Sequence, residues 1–193
     1  AVGNLTRLTD PLNHTTKFKY NKTRRFTQST APSPFGFITK YGYDANGKLT
    51  SLARQTGISA KPWQKSSLTY SLTGKLESRT DPEGHTTAYQ VDQKDRLWKV
   101  IDAEKQTKEY LYDALDRPSQ VVDALGNTAV TRTYTPNGLT ETLTDARGNI
   151  TTYTYDGFDR PSKVTYPDGS WEAFAFDDAS NLITRRTRSG SLI

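Results

Sequence analysis

Apolar and polar residues alternate in short segments that are separated by turn residues. In residues 151–155, tyrosines alternate with threonines, a period of two that is typical of a β-strand with its rings on one face. Residues 156–159 (DGFD) then predict a turn, residues 162–165 a return strand and residues 167–169 (PDG) a second turn. This segment therefore predicts a β-hairpin.

The same pattern recurs along the chain. Each unit has an aromatic or apolar residue just before its first turn, here called the anchor. Successive anchors are separated by 23, 27, 21, 21, 22, 21 and 21 residues. The eight anchors are Tyr20, Tyr43, Tyr70, Val91, Tyr112, Tyr134, Tyr155 and Phe176. A repeat of this length indicates an array of small units, each of which buries surface only against its neighbours.

Several columns keep register with the anchor. Position +1 has a short hydrogen-bonding side chain that favours turns, and position +4 is Gly or Asp in six of eight units. Position +14 is glycine in six units, as expected where the backbone needs a positive φ. Position +5 is basic in six units: Arg25, Lys48, Lys75, Arg96, Arg117 and Arg160. Because these charges are spread one per unit, we interpret them as a solvated mixed surface.

Large side chains stand at the anchor and two residues before it, and these two columns hold 13 of the 21 aromatic residues. We therefore predict an all-β fold, an array of antiparallel β-hairpins that forms a curved or spiral sheet with one aromatic face and one plainer face. Apolar residues at +6 and +9, such as Leu49 and Leu52, have opposite parity. Either position +6 belongs to the turn or a bulge lies between the two positions.

Two units are longer than the others. Residues 57–65 add six residues to the period, and a stretch that begins at residue 31 adds two. Insertions in repeat proteins map to loops, so we expect local excursions and no domain boundary. Residues 1–193 are predicted to be a single array that is cut in mid-repeat at both ends. The outer strands would then expose edges through which the segment could associate with copies of itself.

Composition favours a thin sheet over a globular core. Only 33% of the residues are hydrophobic and the mean hydropathy is -0.77, whereas 11% are aromatic, which is not a disordered composition. The net charge is +5, and one local basic cluster (residues 17–25) lacks any recognition module, so nucleic acid is not an expected partner. There is no cysteine, no long apolar stretch and no signal peptide in this sequence.

Residues 43–49 (YDANGKL), residues 80–84 (TDPEG) and, in drifted form, residues 155–161 (YDGFDRP) carry a family resemblance. The pattern resembles the YD-repeat or Rhs family, and it covers essentially the whole chain. The resemblance implies a β-hairpin strip wound into a hollow shell, which encloses a toxin in bacterial Rhs toxins and toxin-complex C components and serves adhesion in teneurins. It also implies a larger bacterial protein that is secreted or exported. The self-cleaving segment of bacterial shells has no counterpart here, and no cleavage role is assigned to Asp10 or Asp81.

Residues able to carry chemistry are few. His14 and His85 both occupy position +15, where other units have unrelated residues, so we interpret them as variants of a turn-flanking site. The aspartates at +1, and the pair Asp177 and Asp178, lack the spacing of a calcium loop and are interpreted as turn caps. We therefore predict no catalytic, cofactor-binding or metal-binding residues and no enzymatic activity.

The sequence thus favours a structural role, in which the segment is part of a β-shell that encapsulates or scaffolds a toxin cargo. Its partners would be flanking repeats and that cargo. The alternative is an adhesion repeat whose exposed aromatic residues bind carbohydrate or a cell-surface partner. An enzyme is the third and least favoured class.

Overall fold

The structure is a computed structural model that describes residues 3–193. It divides into two compact units, residues 3–90 with 101–105 and residues 91–100 with 106–193. The first unit contains β1 (Arg7–Thr9), β2 (Thr15–Tyr20), β3 (Phe26–Thr30), β4 (Ile38–Tyr43), β5 (Leu49–Gln55), β6 (Trp63–Tyr70) and β7 (Leu76–Thr80). The second contains β10 (Thr107–Tyr112), β11 (Pro118–Val122), β12 (Thr128–Tyr134), β13 (Thr140–Asp145), β14 (Ile150–Tyr155), β15 (Pro161–Thr165), β16 (Trp171–Phe176) and β17 (Leu182–Arg186). The strands β8 (Thr86–Val91) and β9 (Leu97–Ile101) each contain residues of both units.

Within each unit, every strand pairs antiparallel with the strands before and after it in the chain. The predicted antiparallel hairpin array is therefore confirmed. The residues that the structure describes form no helix, and so none that could cross a membrane.

In seven hairpins, a β-bulge on the return strand lies opposite the step that leads into the anchor. This bulge explains how the apolar residues at +6 and +9 can share a face despite their opposite parity. Tyr112 pairs with Pro118, but Leu111 pairs with Gln120, so one residue on the return strand, Ser119, has no partner. The same shift recurs in the other hairpins whose anchors are Tyr or Phe. Position +6 therefore belongs to the strand, and the bulge at +7 restores +6 and +9 to one face.

This face is the aromatic face, and it is built from direct cross-strand pairs. In the second unit Tyr153 pairs with Val164, and Tyr155 pairs with Pro161. On the opposite face, here called the plain face, small hydroxyl side chains pair, for example Thr133 with Thr142, whose oxygens are 2.7 Å apart.

Neither unit has a hydrophobic core. No residue among positions 3–193 is buried, whether apolar or polar. In each unit the strands contact only their neighbours in the chain, so no second layer covers either face. An apolar side chain can then be covered only by residues on the same face, as the low hydrophobic content predicts.

The longer unit at residues 57–65 differs in part from the prediction of a local excursion. Trp63, Gln64 and Lys65 lie inside β6, where Trp63 pairs with Gln55 on β5. Part of the insertion thus lengthens the hairpin, and only residues 56–62 form its loop. Trp63 has the parity opposite to that of Leu68 and Tyr70, so the alternation of apolar and polar residues does not continue into this segment and gave no signal of the longer strand.

Candidate functional site

The first turn of each unit is organised by the aspartate or other short side chain at +1. The carboxylate oxygen Oδ1 of Asp156 accepts hydrogen bonds from the backbone N–H groups of Phe158 (2.9 Å) and Arg160 (3.0 Å). The backbone N–H of Asp159 donates to the carbonyl of Asp156 (3.1 Å), and Asp159 has a φ of 61°. Position +4 therefore requires a left-handed conformation, which explains why Gly and Asp occur there.

The basic residue at +5 links this turn to the next unit. Arg160 donates from Nε to Oδ2 of Asp156 (2.7 Å) in its own unit. Its Nη1 donates to the carbonyl of Asp177 (3.0 Å) and to the hydroxyl of Ser180 (3.1 Å) in the following turn. The guanidinium also lies 4.8 Å from the ring centroid of Phe176, the next anchor. One side chain thus contacts both turns and the ring between them.

We call this arrangement a clamp: the aspartate at +1, the arginine at +5 and the anchor ring of the following unit. Three complete clamps are Asp92–Arg96–Tyr112, Asp113–Arg117–Tyr134 and Asp156–Arg160–Phe176. A cation–π contact contributes about 0.5–1 kcal/mol at an exposed site and about 2 kcal/mol when it is desolvated. The planar guanidinium suits this position because it can stack on a ring while its edge donates hydrogen bonds.

The prediction that the basic column is a solvated surface is wrong for these arginines. Their side chains are only 25% (Arg96), 27% (Arg117) and 19% (Arg160) exposed. The sequence did contain a signal, because each arginine is in fixed register with an aromatic residue in the next unit.

Related contacts occur in the first unit with other residue types. Lys48 lies 5.3 Å from the ring centroid of Tyr70 and donates from Nζ to the carbonyl of Gly74 (2.5 Å). Arg25 reaches the carbonyl of Asp44 (3.4 Å). A Cβ added to Gly47 would collide with the guanidinium of Arg25, so this glycine leaves space for the cation as well as adopting a φ of 90°.

The tyrosine anchors make a second link, in the opposite direction. The hydroxyl of Tyr155 donates to the carbonyl of Thr140 (2.8 Å), which occupies position +6 of the preceding unit. Equivalent bonds run from Tyr20 to Leu5, Tyr43 to Phe26, Tyr70 to Leu49, Tyr112 to Leu97 and Tyr134 to Pro118. Partial burial raises the pKa of Tyr155, which favours the protonated hydroxyl that donates this bond.

The turn carboxylates are held in their ionised form. The side-chain hydrogen bond from Arg96 is the largest cause that lowers the pKa of Asp92. At the other end of the hairpins, the Ser170 hydroxyl and then Arg188 lower the pKa of Asp168 to about 2. Arg188 donates to Asp168 (2.6 Å) and stacks on Tyr166, 4.2 Å from its centroid.

The histidines close turns. Nδ1 of His14 lies 3.0 Å from Oδ2 of Asp10, and Nδ1 of His85 lies 3.0 Å from Oδ2 of Asp81. This is the same spacing of four residues that joins Arg160 to its aspartate, as the turn-flanking interpretation implies. Asp177 likewise accepts bonds from the backbone and side chain of Asn181 (2.8 and 3.0 Å). Between residues 3 and 193, no three His, Cys, Asp or Glu side chains are grouped as a metal site.

One Asp–Arg pair of the clamps lies within a recognised repeat sequence. The sequence model of the RHS Repeat family matches residues 131–170, which include Tyr134, Tyr155 and the Asp156–Arg160 pair. This segment of the chain is an RHS repeat. The same clamp recurs at Arg96 and Arg117, outside or at the margin of the matched segment.

Solved structures with a similar fold belong to large toxin complexes. The TcdB2-TccC3-Cdc42 structure is 17% identical with a TM-score of 0.62, and TcdB2-TccC3 is 16% identical with a TM-score of 0.62. The Photorhabdus luminescens Tc holotoxin pore is 17% identical with a TM-score of 0.60. Each match covers 95% of this chain but only 12% of the longer one, and identities this low establish the fold alone. No curated protein matches the chain.

The hydroxyl link of the RHS repeat predicts different effects for two neighbouring tyrosines. Tyr155→Phe removes the bond to Thr140 and should lower the free energy of unfolding by about 1 kcal/mol. Tyr153→Phe is the matched control, because the Tyr153 hydroxyl bonds to no described residue. Urea denaturation of both variants measures the difference. Equal stabilities would show that the hydroxyl does not link the units.

The turn aspartates predict acid sensitivity. Their pKa values are lower in the folded chain than the ordinary 3.8, to about 2 for Asp168, so their stabilisation is complete above about pH 4 and is lost as pH falls through the folded values. The thermal midpoint should therefore fall between about pH 4 and pH 2. Asp168→Asn should show a smaller fall over this range.

The control for this measurement is Asp178→Asn, because Asp178 is exposed and bonds to no described residue. This variant should follow the parent at every pH. A parent midpoint that stays constant down to pH 2, or an unchanged profile for Asp168→Asn, would contradict the account.

Proposed function

We propose that this segment is part of the wall of a hollow β-shell that encloses a toxin cargo, within a larger bacterial protein that is secreted. Its flanking repeats and the cargo are its partners, and residues 1–193 belong to one continuous array. We assign it no catalytic role. RHS repeats and the fold shared with toxin-complex chains support a structural role.

One observation carries this proposal. Residues 3–193 contain no buried core, and yet each strand is held by its neighbours in the sheet. A globular domain stops growing when its core is complete. An array of hairpins has no such limit, since each added hairpin is held by contacts with the neighbouring hairpin alone. Such a wall, one strand layer thick, can be extended until it surrounds a volume.

The nature of the similar structures supports the finer part of the proposal. Two of them are complexes of TcdB2 with TccC3, and the third is a Tc holotoxin pore. Because this chain spans about 12% of those chains, a cargo is inferred here for the whole protein from which the segment comes.

The carbohydrate-binding alternative is less well supported. Sugar recognition would require exposed ring faces, but the anchor rings of Tyr112, Tyr134 and Phe176 are covered by guanidinium groups. The hydroxyl groups of the tyrosine anchors are committed to carbonyls of the preceding unit. These aromatic residues therefore serve the array itself.

Cysteine labelling tests the proposal. The segment has no cysteine, so Thr133→Cys on the plain face and Leu182→Cys on the aromatic face introduce single exposed thiols. A maleimide on a large polymer should modify both positions in the isolated segment. In the whole protein encoded by the same reading frame, one face should be protected, because a closed shell excludes the polymer.

Limited proteolysis completes the experiment. The region outside the array that forms the cargo should be resistant in the whole protein and should become sensitive after the shell is opened by denaturant. Equal labelling of both faces in the whole protein would contradict a closed shell. If one face is protected from labelling but the cargo region is digested, the segment would still be part of a wall, but encapsulation of the cargo would be wrong.

A further inference from the structure

Charge is distributed unevenly along the chain. Residues 1–80 hold 13 of the 26 Lys and Arg residues but only 3 of the 21 Asp and Glu residues. The six strands β1 to β6 contain no acidic residue at all. An asymmetry of this size indicates an interaction with a polyanion or an anionic surface.

The pairing register brings five of these basic residues to one face. They are the exposed side chains Arg7, Lys17, Lys19, Lys40 and Lys65, here called the basic face. Cross-strand partners share a face, and the register runs from Lys19 through Gln28 to Lys40, and then through Ala53 to Lys65. Arg7 pairs with Lys17.

The basic face lies on the plain side of the sheet, opposite the anchors. Lys19 directly precedes the anchor Tyr20, and Lys40 is separated from the anchor Tyr43 by two residues, so both point away from the aromatic face. None of the five makes an ion pair with another described residue. Lys19, Lys40 and Lys65 lie on alternate strands, about 10 Å apart. The result is a row of cations that no carboxylate of the described residues neutralises.

Exposed apolar loops border this face. Phe35 is 73% exposed and stacks on Phe37 with centroids 5.8 Å apart, and Ile58 in the next loop is 61% exposed. One surface cavity is lined by these three residues together with Gln55, a residue of the plain face. A second is lined by Lys17 of the basic face and by Pro34 of the same loop as Phe35.

The chemistry of this surface favours one class of anionic partner over the others. Single-stranded nucleic acid is bound by rings interleaved with the cations, but the one large ring among these lysines, Trp63, is covered by Nζ of Lys40 at 4.7 Å from its centroid, and Phe35 and Phe37 stack on each other at the margin. An acidic peptide would be favoured by paired arginines, and Arg7 is the one arginine among the five residues of the basic face. Lysines on one face of the sheet attract the anionic headgroups of a membrane. The protruding Phe and Ile side chains beside them can insert between those headgroups.

We propose that the basic face, with the Phe35 and Ile58 loops at its margin, binds a membrane surface that contains anionic phospholipids. The inference does not depend on the proposed function, since it concerns this face alone. The second unit provides an internal contrast, because Lys99 forms an ion pair there with Glu109 (2.5 Å).

Vesicle co-flotation of the 193-residue chain tests the proposal. Binding should occur with vesicles of phosphatidylcholine and phosphatidylserine, but not with phosphatidylcholine alone, and should weaken as salt increases. The triple variant K19Q/K40Q/K65Q should bind about 100-fold more weakly, since each lysine near an anionic leaflet strengthens binding about fivefold. Phe35→Ser should weaken the binding that remains at high salt.

The matched control is K108Q/R147Q/K163Q, which removes the same charge from exposed positions of the second unit and should change binding less than about twofold. Circular dichroism and thermal midpoints equal to those of the parent establish that both variants fold. Equal binding to neutral vesicles, or equal losses for the two triple variants, would overturn the proposal. So would tighter binding to polyuridylic acid or polyglutamate than to anionic vesicles at the same salt concentration.

Discussion

The contact on which this structure depends is a guanidinium held between two hairpins. Arg160 neutralises the aspartate of its own turn, donates to the backbone of the next turn and covers the next anchor ring, Phe176. Each of these interactions is weak at a solvent-exposed surface. Together they replace the contribution that a hydrophobic core makes elsewhere, because the ring and the cation desolvate each other.

Other recurring features of the unit act together with this cation. The bulge at +7 places +6 on the aromatic face, where its carbonyl receives the hydroxyl of the following tyrosine, as Thr140 does from Tyr155. The left-handed residue at +4 turns the chain tightly, and the basic side chain of the preceding unit reaches this turn, as Arg160 reaches Ser180. The sheet can therefore be one layer thick, which suits a wall, and its plain face remains free to carry unrelated properties such as the cations of β2, β4 and β6.

Much of the fold could be predicted from the sequence, because local rules determine it. The period of two around Tyr155, the turn residues after it and the repeat of about 21 residues specify hairpins without reference to distant contacts. The sequence interpretation did not settle three other features. The bulge depends on whether the residues at +6 and +9, such as Leu49 and Leu52, pack better on one face or on two. The clamp depends on contacts between units, so Arg117 looked like an ordinary surface charge. The face on which Lys19, Lys40 and Lys65 meet is likewise a consequence of register.

A double-mutant cycle between Arg160 and Phe176 tests the central claim most directly. Phe176 has no hydroxyl, so Phe176→Leu removes the ring contact without removing a hydrogen bond, and Arg160→Gln removes the cation. The account predicts that the two losses in unfolding free energy are not additive, with a coupling energy of about 1 kcal/mol or more. Strict additivity would show that the guanidinium and the ring act independently, and the clamp would not be what joins one hairpin to the next.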